Sequence, residues 1–434
     1  MTEIAIFGCG IIGPLTAHFL LSKFSSSPEQ IHITIYEVYA SLRTIGGAVN
    51  LSPNAVRLLS HVGCDPRRYG GKTPMVLFQN ERGERVGEFF YSWPADGCVG
   101  MRVGRRDLME DLVSHLPEDE GRVKISFGKR AVRMEEVEEA KVRVTFEDGE
   151  ERMFDWVIGA DGIHSFTRSQ IHASSSDAPK AVYSGITTVY GLLPSTSIPK
   201  DLLAPLSSHR SIRTISPHAG LFSVSYSRAD DSQVHWFSSR APPTPPSPDE
   251  AAPDGEEVRK ELLEAYKDFP APIEEVIRKT EKIYYWPVFR LSDKEHKGQW
   301  YSPNGRIVLV GDAAHALPPF AAQGVGMGAE DASLVSSILH AITTSHKPIS
   351  PSSIPKIWER EYVARRVPRV DGFIKHAESQ GRGRKDDGWW IGKFREWSLW
   401  LAFPLISLVN SMGYWDVQGW GYDTEKEKIS VEDF

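Results

Sequence analysis

The amino-acid sequence predicts an α/β fold: a parallel, doubly wound sheet, an interleaved and mainly antiparallel β domain, and a helical C-terminal cap. Three observations carry this reading. Near the start, the apolar run Ile4–Phe7 breaks into Gly8-Cys9-Gly10-Ile11-Ile12-Gly13 and then an apolar helix to about Lys23, the strand, G-x-G-x-x-G turn and helix of a Rossmann-like dinucleotide site. Far along the chain Ile307–Val310, four apolar residues of which three are β-branched, read as a fully buried parallel strand ending on Gly311-Asp312. Between them, from about residue 175 to 290, the period changes to short alternating strands.

In chain order, Gly8 allows the tight turn, Gly10 lets backbone approach a pyrophosphate, and Gly13 permits close packing of helix on strand. Pro14 sits in the first helical turn, where its missing N–H costs little. After the polar loop at Ser25–Pro28, the strand His32–Tyr36 ends at Glu37, an acid placed to hold two ribose hydroxyls. Residues 40 to 63 hold a second glycine-rich turn and a helix from Pro53 that Gly63 ends. Met75 to Trp93 reads as strands of the second sheet, and Arg105-Arg106-Asp107-Leu108 opens an amphipathic helix. Strands Val142–Phe146 and Arg152–Phe154 flank the hairpin turn Asp148-Gly149. The next strand, Trp156–Ile158, ends in Gly159-Ala160-Asp161-Gly162.

The middle region predicts strands at Tyr183–Leu192, Ser211–Ile215, Leu221–Arg228 and Gln233–Ser238, then an exposed Pro- and acid-rich loop from Ala241 to Glu257. A helix from Glu257 to Tyr266 and the strand Ile283–Arg290 return the chain to the first domain. Beyond Asp312 come Pro318-Pro319 and then Gly324, Gly326 and Gly328, before Glu330-Asp331-Ala332 begins a helix whose amino end offers free N–H groups. Ile357–Lys375 reads as a further helix carrying Arg365, Arg366 and Arg369. The tail from Trp389 to Tyr422 holds six of the twelve tryptophans. Its apolar run Leu399–Val409 is interrupted by Pro404 and too short to span a bilayer, so it reads as a cap, with peripheral membrane contact as the alternative.

At 434 residues, 41% hydrophobic and 25% charged, the composition is that of an ordinary globular chain with a large core. A net charge of −7 argues against nucleic acid and against a polybasic membrane patch, leaving small molecules as partners. Cys9, Cys64 and Cys98 are too few and scattered for a disulfide framework or a metal cluster, and Met1-Thr2-Glu3 does not begin a signal peptide; the expectation is a cytoplasmic protein without a metal.

Gly311-Asp312-Ala313-Ala314-His315, with Pro319 and Gln323-Gly324, resembles the second flavin-binding motif of single-component FAD-dependent monooxygenases, the family of salicylate and p-hydroxybenzoate hydroxylases. Ala322 stands where that family usually has Gly, and Gly326 where many members have Asn. Gly159–Gly162 resembles its other signature, and the motifs beginning at residues 8, 159 and 311 follow the family's order. The resemblance implies a p-hydroxybenzoate hydroxylase-like fold, with an FAD domain over 1–74, 95–174 and 291–375, a substrate domain over 75–94 and 175–290, and a cap over 376–434. It implies FAD contacts at Gly8, Gly10, Gly13 and Glu37, at Gly47, Ala48, Val49 and Arg105, at Asp161 and Gly162, and at Asp312, Pro319, Gly324, Val325 and Gly326.

The activity so implied is a monooxygenation: NADPH or NADH visits transiently to reduce FAD, dioxygen adds to form a C4a-hydroperoxyflavin, and one oxygen hydroxylates or epoxidises a small organic substrate, with secondary metabolism as the setting. Tyr190 and Tyr226 are the expected catalytic side chains, and Phe222, His235, Trp236 and Pro319 the expected substrate contacts. In several fungal members an Arg that holds a phenolate stands where this chain has Tyr190, which points to a neutral, largely apolar or heteroaromatic substrate. The alternatives are a flavin reductase or halogenase of the same fold, the latter disfavoured because no Trp-x-Trp-x-Ile string occurs, and a prenyl-carrier escort protein without redox activity.

Overall fold

A computed structural model describes the chain except for residues 45, 94, 118–120, 138–139, 174–177, 217, 243–253, 293–297, 383–393, 395–396, 399, 403, 406–407 and 409–418. Its base is a five-stranded parallel sheet in the order Val123–Ser126, Ile31–Tyr36, Thr2–Phe7, Trp156–Gly159, Ile307–Leu309. These strands are rich in Ile and Val because both faces are covered. Helices Ile12–Lys23 and Gly324–Thr343 pack together over this sheet, with Ile4, Ile6, Leu20, Leu334 and Ile338 in one core. The order places the carboxyl ends of Thr2–Phe7, Trp156–Gly159 and Ile307–Leu309 side by side, so the three glycine-and-acid turns emerge at one edge.

Above lies a seven-stranded sheet, ordered Ile283–Leu291, Ala181–Pro194, Gln233–Arg240, Gly220–Tyr226, Ser211–Ser216, Met75–Asn80, Arg85–Phe90. All its neighbours are antiparallel except Ser211–Ser216 beside Met75–Asn80. One face packs on the helices Lys200–His209, Gly255–Ala265 and Ile273–Lys279, through Val189, Phe222, Val224, Val234 and Trp236. Period-two alternation turns the intervening residues the other way, toward the parallel sheet.

Several elements differ from expectation. Val123–Ser126, not expected as a strand because Lys124 and Ser126 interrupt its apolar residues, is the edge strand of the parallel sheet. The helix Lys200–His209 goes unpredicted because Pro205 lies inside it; it ends on Arg210 in the left-handed region at φ 62°. The helix expected to begin at Glu330 begins at Gly324, so Gly324, Gly326 and Gly328 are its first turns. At Gly328 an added Cβ would stand 2.5 Å from the Ile12 side chain, so this glycine serves helix contact. The acid-rich loop falls mostly outside the described residues, as does most of the Trp-rich tail.

The C-terminal helical region begins with the π-helical turn Trp358–Val363 and the helix Ala364–Arg382. Residues 419–434 return onto the first helices: Arg57 donates to the carbonyls of Trp420 and Tyr422 (2.9 and 3.2 Å), and Lys23 pairs with Glu425 at 2.7 Å. Among the described residues, no helix is long and apolar enough to cross a membrane.

Candidate active site

The three turns surround a cavity of about 560 Å³. Gly8, at φ +106°, takes a conformation that side chains rarely adopt, and an added Cβ there would lie 2.5 Å from the Ala160 carbonyl oxygen; the first and second turns touch backbone to backbone. Gly13 is tighter still, its Cβ position being 1.9 Å from the Gly8 carbonyl oxygen. Gly10, by contrast, has nothing within 4 Å, so its space opens into the cavity. The helix Ile12–Lys23 has no side-chain cap and no acid in its first turn, which leaves its N–H groups and positive end for an anionic ligand. At the far wall Glu37 accepts the Cys9 amide at 2.9 Å and the Tyr39 amide at 3.1 Å. Asp161 also lines the cavity, but its carboxylate is taken by its own loop: Thr167 donates from its amide at 2.9 Å and its hydroxyl at 3.0 Å, and Ser165 donates as well.

The third turn is fixed from beneath. Asp331, fully buried, accepts the Gly311 amide at 2.9 Å, His315 Nε2 at 2.5 Å and Arg366 Nε at 2.8 Å. Burial pushes the Asp331 carboxyl up, but His315 and Arg366 outweigh it and hold it down at about 2. Glu330, equally buried, pairs with Arg366 and Arg369 and accepts Asn54 Nδ2 at 2.7 Å. Each buried charge thus has an opposite charge and further hydrogen bonds, the condition under which burial is tolerated. The consequence is a rigid Gly311–His315 turn that presents Asp312 to the cavity, where enclosure by protein raises its carboxyl.

A second cavity of about 310 Å³ adjoins the first, and Val49, Asp312, Gly324 and Val325 line both. Its walls include Gly47, Ala48, Tyr190, His235, Phe237 and Pro319. Tyr190 stacks on Tyr284 with ring centroids 5.0 Å apart, and burial pushes its phenol up to about 12, so it stays neutral. An added Cβ at Gly47 would meet the Tyr190 ring at 2.6 Å, which explains a glycine there. Burial, reinforced by Arg102, holds the His235 imidazole well below its usual range and therefore neutral, and its Nδ1 has no partner. Arg102 and Arg213 also face this chamber.

The junction fits a flat ring joined to a dinucleotide. Arg105 lines the first cavity with a buried Nε that has no partner, and burial lowers its affinity for the proton while Asp312 opposes that. Gly324 has nothing within 4 Å of its Cβ position, and the 20-residue helix it opens has neither a side-chain cap nor an acid in its first turn. An electron-rich group set against these amides would be stabilised.

The FAD binding domain family matches residues 1–348 of this chain. The chain belongs to that family. It is 29% identical over 378 residues to the FAD-dependent monooxygenase sor5 of Hypocrea jecorina, covering 80% of this chain and 76% of that protein. A salicylate hydroxylase of Pseudomonas putida is also 29% identical, over 350 residues, covering 78% of this chain and 77% of its own. The crystal structure of Klebsiella pneumoniae HpxO complexed with FAD and uric acid shares the fold at a TM-score of 0.75 with 21% identity, over 97% of each chain.

Gly8, Gly10, Glu37, Arg105, Asp161 and Gly162 line the larger cavity of this FAD domain; Val49, Asp312, Gly324 and Val325 stand at the junction; Gly47, Ala48 and Pro319 line the chamber. Gly13 and Gly326 line neither. Gly13 supports the turn from behind, and Gly326 is buried with its Cβ position 2.7 to 2.9 Å from Gln323, Asn54 and Ser52, a tight packing that itself calls for glycine. In the chamber the structure brings Tyr190, His235 and Pro319 together. Phe222 and Trp236 instead stack at 5.3 Å in the core on the other face of the sheet, and Tyr226 packs there under Arg210. His235 and Trp236 are neighbours in one strand, so one of them had to point away. Sequence reading missed Arg102 and Arg213, although Arg213 between Ile212 and Thr214 is an isolated charge in a buried strand.

Proposed function

We propose that this chain is an NAD(P)H-dependent FAD monooxygenase that inserts one oxygen atom from O2 into a small, largely apolar or aromatic molecule, by hydroxylation or epoxidation, in the cytoplasm and in secondary metabolism. The observation that carries the reading is the junction itself: a dinucleotide-sized cavity and a side-chain-lined chamber share Val49, Asp312, Gly324 and Val325. Among the described residues Cys9, Cys64 and Cys98 form no disulfide, which supports a reducing compartment. The proposed division assigns 1–74, 95–174 and 291–375 to FAD and 75–94 and 175–290 to substrate. Bound FAD supplies the hydride-accepting and oxygen-activating chemistry.

The chain contributes placement and environment. Gly8, Gly10 and the uncapped end of Ile12–Lys23 would hold the pyrophosphate, and Glu37 would accept from the ribose hydroxyls. The amides at Gly324 and Val325, at the uncapped start of the helix Gly324–Thr343, would stabilise negative charge on the bound ring. Gly47 to Val49 would form the wall beside the ring, and Tyr190, whose phenol stays neutral, would offer a hydrogen-bonding hydroxyl to the substrate. The chamber walls limit water around the reacting atoms.

The test is direct. Purified protein should be yellow, its flavin absorbance should bleach with NADPH or NADH, and a substrate screen in ¹⁸O2 should yield a product heavier by one labelled oxygen. A colourless protein that consumes no reduced nicotinamide would overturn the reading in favour of an escort role. Bleaching with a reduced, unoxygenated product would favour the reductase.

A further inference from the structure

Exposed apolar surface is concentrated in one place on this molecule. Among the described residues fourteen large apolar side chains are exposed: eight are spread over residues 1–286, and six, Phe394, Trp397, Trp400, Leu401, Leu405 and Leu408, fall within 394–408. Single exposed apolar residues are normal on a protein surface, whereas a contiguous group marks a place of contact. The described residues of 394–408 are helical. Phe394, Trp397, Leu401 and Leu405 follow at spacings of three, four and four, which puts them on one helical face, and each is between 50 and 68% exposed. Ser398 and Ala402, four apart on the adjoining face, are half-buried. Small residues thus turn toward the protein and large apolar ones away from it, the reverse of a helix that covers a core. Trp400 and Pro404 border a groove of about 370 Å³ against the strand Arg85–Phe90, an edge of the seven-stranded sheet, where Phe90 is exposed as well.

The chemistry of the surrounding sequence narrows what this face meets. From Trp397 to Trp415 no charged residue occurs, and Pro404, Asn410 and Gly413 interrupt the run, which suits a segment lying along an apolar–aqueous boundary rather than across a bilayer. Trp389, Trp390, Trp397, Trp400 and Trp415 stand toward the two ends of this region. Indole joins an apolar ring to a single N–H donor and concentrates at the headgroup level of membranes. Just before the run, residues 382–396 hold five basic side chains against three acidic ones, in a chain whose net charge is −7. That local excess complements an anionic lipid surface, and it is small enough that apolar contact must carry most of the binding. A protein partner would instead call for a polar rim and roughly one hydrogen bond per 100–200 Å² of contact. In the stripe of Phe394, Trp397, Leu401 and Leu405, only the Trp397 side chain can donate one.

We infer that this chain docks peripherally on a phospholipid bilayer, with Phe394, Trp397, Leu401 and Leu405 set into the boundary between headgroups and acyl chains. Each side chain so buried leaves water for an apolar medium without losing a hydrogen bond, except that the indole N–H of Trp397 stays within reach of the headgroups. Docking is independent of the reaction proposed above, but the two are linked through one element. The helix Ala364–Arg382 that leads to the docking segment packs on the chamber: an added Cβ at Gly381 would lie 3.0 Å from the ring of Phe320, and Phe320 lines the chamber.

The experiment uses the full-length flavoprotein and vesicles of phosphatidylcholine, alone or with about one-fifth phosphatidylserine. Binding is read by co-sedimentation, and insertion by quenching of tryptophan fluorescence with brominated acyl chains. The wild-type protein is expected to bind both compositions, about three- to tenfold more tightly when phosphatidylserine is present. Combining Trp397→Ser with Leu401→Ser should lower the partition coefficient at least about tenfold and reduce the quenching. FAD content and melting temperature should stay as in wild type, because both side chains are exposed. If the double variant folds poorly, Leu405→Ser alone carries the test, with a loss of about threefold. Failure to bind either kind of vesicle, or binding that the substitutions leave undiminished, would overturn the inference. So would a dimer in lipid-free solution that the same substitutions dissociate, which would assign the face to a second copy of this chain.

Discussion

The larger cavity is framed by glycine turns and uncapped helix ends, whereas the chamber that meets it at Val49, Asp312, Gly324 and Val325 is walled by side chains such as Tyr190, His235, Phe237 and Trp286. In the first, Gly8 contacts Ala160 so closely that no side chain fits, and the ligand-facing donors are amides at helix ends. In the second, Tyr190, His235 and Arg213 project from the seven-stranded sheet and Arg102 from the strand Met101–Gly104 of a smaller sheet, and the hydrogen-bonding pattern of these strands would accept many other residues there. The difference teaches which parts of the site can vary. On the proposed function, backbone geometry that demands glycine would fix the cofactor, while exchangeable side chains on regular strands would set the substrate.

The sharpest way to break this contrast is at Gly13. Gly13→Ala places a methyl 1.9 Å from the Gly8 carbonyl oxygen, a backbone atom that cannot rotate away. The expected result is loss of about 4 kcal/mol or more of stability, with failure to retain FAD. Purified variant protein that is yellow and melts within a few degrees of wild type would show that the cradle tolerates side chains. Gly10→Ala is its control, because nothing lies within 4 Å of that Cβ position and the apoprotein should fold normally.

That asymmetry also explains how much was legible beforehand. Residues that must be glycine leave a mark in the sequence, so Gly8, Gly10 and the turns at Gly159 and Gly311 could be placed in one site from the chain alone. Gly326 escaped this logic, since a glycine needed for packing against Asn54 and Ser52 looks the same in sequence as one needed by a ligand. The chamber was less legible for a different reason. Aromatic residues at strand spacing declare that one face is apolar but not which face looks inward, and Phe222, Tyr226 and Trp236 belong to the core beneath the helices. Arg102 and Arg213 come from strands more than a hundred residues apart, and only the fold brings them to one wall.

The two faces of the upper sheet give the next test. Trp236 is fully buried, stacks on Phe222 and donates Nε1 to Thr280 Oγ1 at 2.7 Å. Trp236→Ala should cost about 3–5 kcal/mol of stability. The flavin spectrum and ligand affinity of the folded fraction should be unchanged. Tyr190→Phe on the opposite face should do the reverse, leaving the melting temperature nearly fixed and altering ligand binding and coupling of nicotinamide oxidation to product. Chemical denaturation and product analysis separate them; a Trp236 variant that changes product ratio at intact stability would put that residue back in the chamber.

The smallest expected effect sharpens the contrast from within the cofactor cavity, at a wall where a side chain is expected to do the recognising. Glu37 already accepts the Cys9 and Tyr39 amides, so its carboxylate is held in place before any ligand arrives. Glu37→Gln keeps the shape and one acceptor oxygen but replaces the other with a donor and removes the charge. A ribose hydroxyl then loses a charge-assisted hydrogen bond, and FAD affinity should fall roughly tenfold, measured by flavin fluorescence on titrating apoprotein. Stability of the apoprotein should fall little, because Glu37 is only half-buried and the strand before it is held by the parallel ladder on both sides. An unchanged FAD affinity would mean that backbone alone suffices at the ribose, and that the contrast between glycine-framed cavity and side-chain-walled chamber holds at this wall too.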